Sequence, residues 1–221
     1  MKDTVDSIIF DFDGVILESN HVRTEGFKLL LEGRKYDADI VARFIRFHEK
    51  NAGLSRYYKL RYFFYEILKQ EIDESVVSSL CKEYSSLVKQ KVTNCEWVKG
   101  VEEFLKNNYH KYNLFIVSGS DQDELREICH ARGISRFFKE ILGSPIDKKS
   151  NVNHLISKYH LDPCRTIFVG DSINDFEAAQ SASIKFIARD SGSCSEWHKG
   201  IIIKDLSFLH THIKPLSETV R

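Results

Sequence analysis

The stretch that most constrains what this chain can fold into is residues 8–14, Ile-Ile-Phe-Asp-Phe-Asp-Gly, an apolar run that stops at two carboxylates and a glycine. Ile8, Ile9 and Phe10 show no polar alternation, which suits a strand covered on both faces, as in a parallel sheet flanked by helices. Side chains two apart on an extended chain share a side, so Asp11 and Asp13 can converge where the strand ends. Neighbouring carboxylates repel unless a cation or a proton sits between them. The pair therefore reads as a metal site, an acid/base pair or both, or else as the polar residues of a turn.

After Gly14 the pattern changes. From about residue 21 to residue 92 the apolar residues recur at helical spacing, as in Phe27, Leu30, Leu31, then Phe44, Phe47, then Tyr58, Tyr62, Tyr65, then Val77, Leu80, Cys81, Tyr84, Val88. This predicts an all-helical block. Its clustered Tyr57, Tyr58, Tyr62, Phe63, Phe64 and Tyr65 offer faces on which nucleobases could stack, but the helical spacing assigns them to packing. Residues 52–56, Ala-Gly-Leu-Ser-Arg, interrupt the block as a loop carrying a hydroxyl and a guanidinium.

From Trp97 onward helices and strands alternate. A helix begins at Val101, and a strand over 114–117 ends in Ser118-Gly119-Ser120. Asp121 with Glu124 three residues on marks the start of a helix whose free N–H groups suit an anion. A short strand over 140–142 leads to a turn at 143–145 and a helix bearing Val152, Leu155, Ile156 and Tyr159. A strand over 166–169 stops at Gly-Asp-Ser-Ile-Asn-Asp, followed by a small helix over 176–182 and strands over 185–188 and 201–203. Such alternation implies a parallel sheet with helices on both faces, which binds ligands at the carboxyl ends of its strands. Three strands end in reactive groups: Asp11 with Asp13, Ser118, and Asp171 with Asp175.

At 221 residues the chain suits one core, or one core with an insertion. Lys plus Arg number 32 and Asp plus Glu number 32, so no global field favours nucleic acid or an anionic membrane. Cys81, Cys95, Cys129, Cys164 and Cys194 are odd in number and lack Cys-x-x-Cys spacing, the pattern of reduced thiols in a cytoplasmic protein. No apolar run is long enough for a membrane span, and no leader is visible after Met1. The expected partner is a small molecule, with the chain a monomer or small homo-oligomer.

The motifs together resemble those of the haloacid dehalogenase-like superfamily of phosphohydrolases: Asp11-Phe-Asp13-Gly14, Ser118 after Leu-Phe-Ile-Val, a lysine in Gly143-Ser-Pro-Ile-Asp-Lys148-Lys149, and Gly170-Asp171-Ser-Ile-Asn-Asp175. The resemblance covers roughly residues 5 to 190 and implies an α/β fold. Its Rossmann-like core would take residues 1–18 and 96–221, with an inserted helical cap over 19–95 similar to that of phosphoglycolate phosphatase and β-phosphoglucomutase. Members that cleave carbon–halogen bonds lack the second aspartate, so Asp13 favours phosphoryl transfer. Glu18 stands where relatives often carry Asp, which bears on the hinge and not on the chemistry.

By that resemblance Asp11 is the nucleophile that becomes an aspartyl phosphate, and Asp13 the general acid and base, expected to titrate higher than its neighbour. Mg²⁺ would be held by Asp11, the main-chain carbonyl of Asp13, Asp171 and Asp175. Lys148, with Lys149 as competitor, would orient Asp11 and the phosphoryl group, and the Ser118 hydroxyl and Gly119 N–H would bind phosphate oxygens. In the cap, Gly53-Leu54-Ser55-Arg56 resembles the Gly-x-Ser-Arg loop of β-phosphoglucomutase, so Ser55 and Arg56 would contact the substrate's far end; a loop-capping surface arginine is the other reading. The cap would move about residues 15–19 and 92–100. The implied function is a Mg²⁺-dependent phosphatase acting on a small phosphorylated metabolite such as a sugar phosphate. A phosphomutase and a non-catalytic binding protein on the same fold are the alternatives.

Overall fold

The computed structural model describes residues 3–192 and 197–215, so Cys194 lies outside the described residues. Strands β2 (Ser7–Phe10), β3 (Asn113–Asp121), β4 (Glu140–Ser144), β5 (Thr166–Gly170), β6 (Lys185–Arg189) and β7 (Ile201–Ile203) form one sheet in the order β4-β3-β2-β5-β6-β7. Every pairing in it is parallel. Side-chain alternation divides the core in two. Ile8, Phe10, Leu114, Ile116, Ile167 and Val169 pack on one face, and Ile9, Phe115, Val117 and Phe168 on the other. Burial on both faces is why these strands carry no polar alternation.

Helices α5 (Val101–Asn108), α6 (Gln122–Ala131), α7 (Lys148–Tyr159) and α8 (Ile173–Ser181) complete the core. Three sequence expectations need correction. The single first strand read through residues 8–10 is preceded by a second: β1 (Asp3–Val5) pairs with β8 (Ile213–Pro215) in a separate ribbon, and β2 alone enters the main sheet. The break falls at Asp6, whose N–H and carbonyl turn to Arg165 and Asn113. Strand β3 runs past Ser118 to Asp121, with an irregular register after Val117, and β4 extends to Ser144.

The helical block comprises α1 (Asn20–Glu32), α2 (Ala38–Lys50), α3 (Arg56–Tyr62), which continues as a π-helical turn over Phe63–Leu68, and α4 (Glu74–Thr93). Gly26 lets α1 and α4 approach closely, since a Cβ there would lie 2.1 Å from a Val88 methyl carbon. Phe27, Phe44 and Phe63 build the block's centre through edge-on contacts. Tyr58 and Tyr65, expected on the packed face, are exposed. The buried stripe of α3 is instead Arg56, Lys59, Leu60 and Phe63, the helical spacing with two cations on its inner side.

The two chain crossings between this block and the sheet run side by side. Glu18 donates its N–H to the Glu96 carbonyl at 3.0 Å, and Val98 donates to Ile16 at 3.1 Å. The Glu18 carboxylate pairs with Arg189 at 2.5 Å, and Arg189 also donates to the Gly14 carbonyl. Glu18 thus ties this crossing to the end of β6.

Candidate active site

Asp11 follows β2 directly and donates its N–H to Val169 of β5 at 2.9 Å. Asp171 and Asp175 follow β5, so neighbouring strands deliver three buried carboxylates whose nearest oxygens lie within 4.8 Å of one another. Lys148, the first residue of α7, places Nζ 3.0 Å from Asp11 Oδ1 and 2.5 Å from Asp175 Oδ1. Its neighbour Lys149 points outward and pairs with Glu177 at 3.0 Å. The α7 start is fixed by Asp147, whose carboxylate accepts the Ser150 N–H at 2.9 Å.

Burial, then the neighbouring charge of Asp175, raises the Asp11 carboxyl well above the usual carboxylate range, with Lys148 opposing. Burial and Asp175 likewise raise Asp171 to about 6, although Asn20 donates to it at 2.8 Å. Despite its burial, Lys148 is held well above its ordinary value by Asp11 and Asp175. One ammonium facing three carboxylates leaves the cluster under-compensated. A hard divalent cation with oxygen ligands fits this donor set. Gly14 makes room for it: its φ is +74°, and a Cβ would lie 2.1 Å from Asp171 Oδ2.

Asp13 lies beside this cluster in a different environment. Arg23 reaches it at 2.9 Å, Ser120 at 2.6 Å and Ser19 at 2.5 Å. Burial alone would raise its carboxyl, but the Arg23 charge and these hydrogen bonds outweigh it and hold the group below its ordinary value. This reverses the expectation that Asp13 titrates above Asp11. The reason is Arg23, a residue that nothing in the local motif announces.

Ser118, Gly119 and Ser120 border the same cavity, and the Ser118 hydroxyl accepts the Ser120 N–H at 3.1 Å. The anion site expected at the start of α6 is filled by the chain itself: Asp121 accepts the Glu124 N–H at 3.1 Å and the Tyr57 hydroxyl at 2.8 Å. Glu124 does not complete a capping box. Its carboxylate accepts from Arg56 at 2.7 and 3.0 Å and also pairs with Arg23. Burial would raise Glu124, but the two guanidiniums bring it down to about 2.

The cap loop lies against the core, where a Cβ on Gly119 would lie 2.4 Å from the Gly53 carbonyl oxygen. Arg56 borders the cavity, and both loop residues are held by groups of the chain itself. Ser55 caps α3 by accepting the Tyr58 N–H at 3.2 Å. Arg56 is 4% exposed, is neither a surface group nor a free cation, and stacks over Tyr84 while bound to Glu124 and Ser85. The cavity between cap and core holds about 830 Å³ and reaches from Asp11 and Lys148 to Lys59 and His48.

Asn20, Arg23, Ser120 and Glu124 were not singled out as site residues from the sequence. Asn20 and Arg23 lie three apart at the start of α1, one turn apart on a common side, which is the signal that could have found them.

Residues 8–189 match the family described as haloacid dehalogenase-like hydrolase. A phosphoglycolate phosphatase from Aliivibrio fischeri (strain ATCC 700601 / ES114) is 25% identical over 199 residues, covering 87% of this chain and 87% of that protein. The β-phosphoglucomutase of Clostridium difficile superposes with a TM-score of 0.75 at 16% identity, over 93% of each chain. YfnB, a HAD-hydrolase of Bacillus subtilis solved with bound magnesium, gives a TM-score of 0.72 at 18% identity over 95% of this chain and 99% of its own.

Proposed function

The chain belongs to the haloacid dehalogenase-like hydrolase family, and we propose that this enzyme is a Mg²⁺-dependent phosphatase of small phosphomonoesters working through an aspartyl phosphate on Asp11. The observation that carries the reading is the meeting of Asp11, Asp171 and Asp175 within 4.8 Å, with Lys148 3.0 Å from Asp11. The likeness to a phosphoglycolate phosphatase and to a magnesium-bound hydrolase agrees with it.

In this reading Asp11, Asp171 and Asp175 hold Mg²⁺, with the Asp13 carbonyl as a further ligand. The ion screens the approach of one anion to another and stabilises charge on the phosphoryl oxygens. Lys148 orients Asp11 and neutralises part of the same charge, and the Ser118 hydroxyl and Gly119 N–H receive phosphate oxygens. An Asp11 oxygen attacks phosphorus, the ester P–O bond breaks, and the leaving alkoxide takes a proton from Asp13. Asp13 then takes a proton from water, whose oxygen attacks the aspartyl phosphate and releases inorganic phosphate and free Asp11.

The ion pair with Arg23 favours the ionised Asp13 that the second step needs. Protonating the leaving group requires that this contact loosen first. The phosphatase reading is preferred to a phosphomutase because the cap arginine that motivated the mutase, Arg56, is already bound to Glu124.

Purified protein supplied with Mg²⁺ should hydrolyse p-nitrophenyl phosphate, and Asp11→Asn should lower kcat by about 10⁴-fold or more. Unchanged turnover in the Asp11→Asn protein would overturn the nucleophile assignment. A screen of phosphorylated metabolites for released phosphate then identifies the substrate.

A further inference from the structure

Asn20 opens α1, the first helix of the helical block, yet its side chain reaches the core. Its Nδ2 donates to Asp171 Oδ2 at 2.8 Å, across 151 residues of chain. Two acceptors would repel at that distance, so the amide nitrogen and not its oxygen faces the carboxylate. Gly14 leaves the space for this contact: a Cβ there would lie 2.1 Å from Asp171 Oδ2 and 2.4 Å from Asn20 Nδ2. Asn20 has no part in the phosphoryl-transfer steps, so its contact calls for another explanation.

The same restraint recurs through the cluster. Asp11 Oδ1 faces Lys148 Nζ at 3.0 Å. Asp175 Oδ2 accepts the Ser172 N–H at 3.1 Å and the Ser172 hydroxyl at 2.6 Å, and Asp175 Oδ1 meets Lys148 at 2.5 Å. Each carboxylate thus has at least one oxygen engaged by the chain and cannot close on an ion with both. The Ser191 hydroxyl also donates to Asp171. A hydroxyl can turn and offer a lone pair in place of its hydrogen, whereas an amide NH₂ only donates. Asn20 is therefore the fixed restraint on Asp171.

Divalent cations differ in what they ask of such a carboxylate. Ca²⁺ takes roughly six to eight oxygens in flexible geometry and accepts both oxygens of one carboxylate, whereas Mg²⁺ demands a near-ideal octahedron. We infer that Asn20 sets the cation preference of the site: by holding Asp171 Oδ2 it confines Asp171 to one-oxygen coordination, which suits Mg²⁺ and disfavours Ca²⁺. Asn20 acts through Asp171 and is a positioning residue, not a ligand. The inference rests on the cation site proposed above and not on the reaction assigned to it.

Thermal unfolding of the full chain, stripped with EDTA and titrated with MgCl₂ or CaCl₂, yields both dissociation constants without turnover. Two variants remove the donor. Asn20→Ala deletes the amide, and Asn20→Asp replaces it at nearly the same size with a side chain that only accepts. Asn20→Ala should weaken Mg²⁺ binding about tenfold while leaving Ca²⁺ binding nearly unchanged, so the preference for Mg²⁺ falls by the same factor. Asn20→Asp should lower the preference at least as far, because its added oxygens suit the larger ion. Asp171→Asn should abolish the response to both cations. Melting without cation reports the folding of each variant, and an acid in the first turn of a helix is compatible with it.

Equal weakening of both cations in the two Asn20 variants, or no change in either cation, would overturn the inference and leave Asn20 as a support of α1. A response that survives Asp171→Asn, or none by the wild type to either cation, would overturn the cation site and the inference with it. If p-nitrophenyl phosphate is not hydrolysed while the preference shifts as expected, the phosphatase reading fails and the role of Asn20 stands.

Discussion

A guanidinium buried between two carboxylates loses its hydration but not its charge, and the cost is offset only while both partners stay ionised. Arg23 is in that position, between Asp13 and Glu124, and so couples the candidate acid/base to the cap contact. Replacing it by glutamine removes the charge that lowers Asp13, so the Asp13 carboxyl should titrate higher and the acidic limb of kcat against pH should move to higher pH. An unmoved limb would separate Asp13 from Arg23. Glu124 carries the reciprocal argument. Glu124→Gln leaves two buried cations under-compensated and should cost about 3–5 kcal/mol in urea unfolding. Because its folded pKa of about 2 lies below the unfolded value of about 4.3, the stabilisation is present above that unfolded value and lost as pH falls through about 2. The wild type should therefore show a steeper acid loss of stability over that window than Glu124→Gln does. These residues were hard to read from sequence because each has an ordinary local explanation. Glu124 sits where a capping-box acid belongs, and Arg23 is one more charge on a helix.

Between elements, the approach of the cap loop to the start of α6 is limited by glycine. A Cβ on Gly119 would meet the Gly53 carbonyl oxygen at 2.4 Å and its carbonyl carbon at 3.1 Å, backbone atoms that cannot rotate away. Gly119→Ala should therefore hold the loop back from the site, lowering kcat/KM by about 100-fold while thermal unfolding changes little. Equal loss of stability and activity would show a folding defect instead. The loop between α2 and α3 was visible in the sequence as a glycine that breaks a helical pattern. What its arginine does was not. The stripe Arg56, Lys59, Leu60, Phe63 follows helical spacing, but hydropathy reads a cation as outward-facing. The hydropathy pattern accordingly places tyrosine inside in place of lysine. Only the tertiary contacts show that cations line the inner side, because their partners come from other elements: Ser85 of α4 and Glu124 of α6 for Arg56, and His48 of α2 for Lys59.

For the molecule as a whole, the three-carboxylate cluster is a source of instability that a divalent cation relieves. Mg²⁺ should raise the melting temperature of the wild type, by about 2.7 kcal/mol of added stability at a hundredfold excess over Kd, and should not do so for Asp171→Asn. The gain should be larger at about pH 7.5 than at about pH 5, because Asp171, at about 6, must lose its proton to bind the ion. Equal gains at both pH values, or in the variant, would place the ion elsewhere. The sequence by itself determined the parallel sheet and which groups stand at its strand ends. Both follow from local rules: unbroken apolar runs bury two faces, and a polar residue after such a run lies at an edge. Tertiary structure alone decided which charges meet. Arg23 and Arg56 reach Glu124 across 101 and 68 residues of chain, and that pairing cancels Arg56. Periodicity records which side of a helix is covered, whereas the charge opposite it depends on the element that packs there.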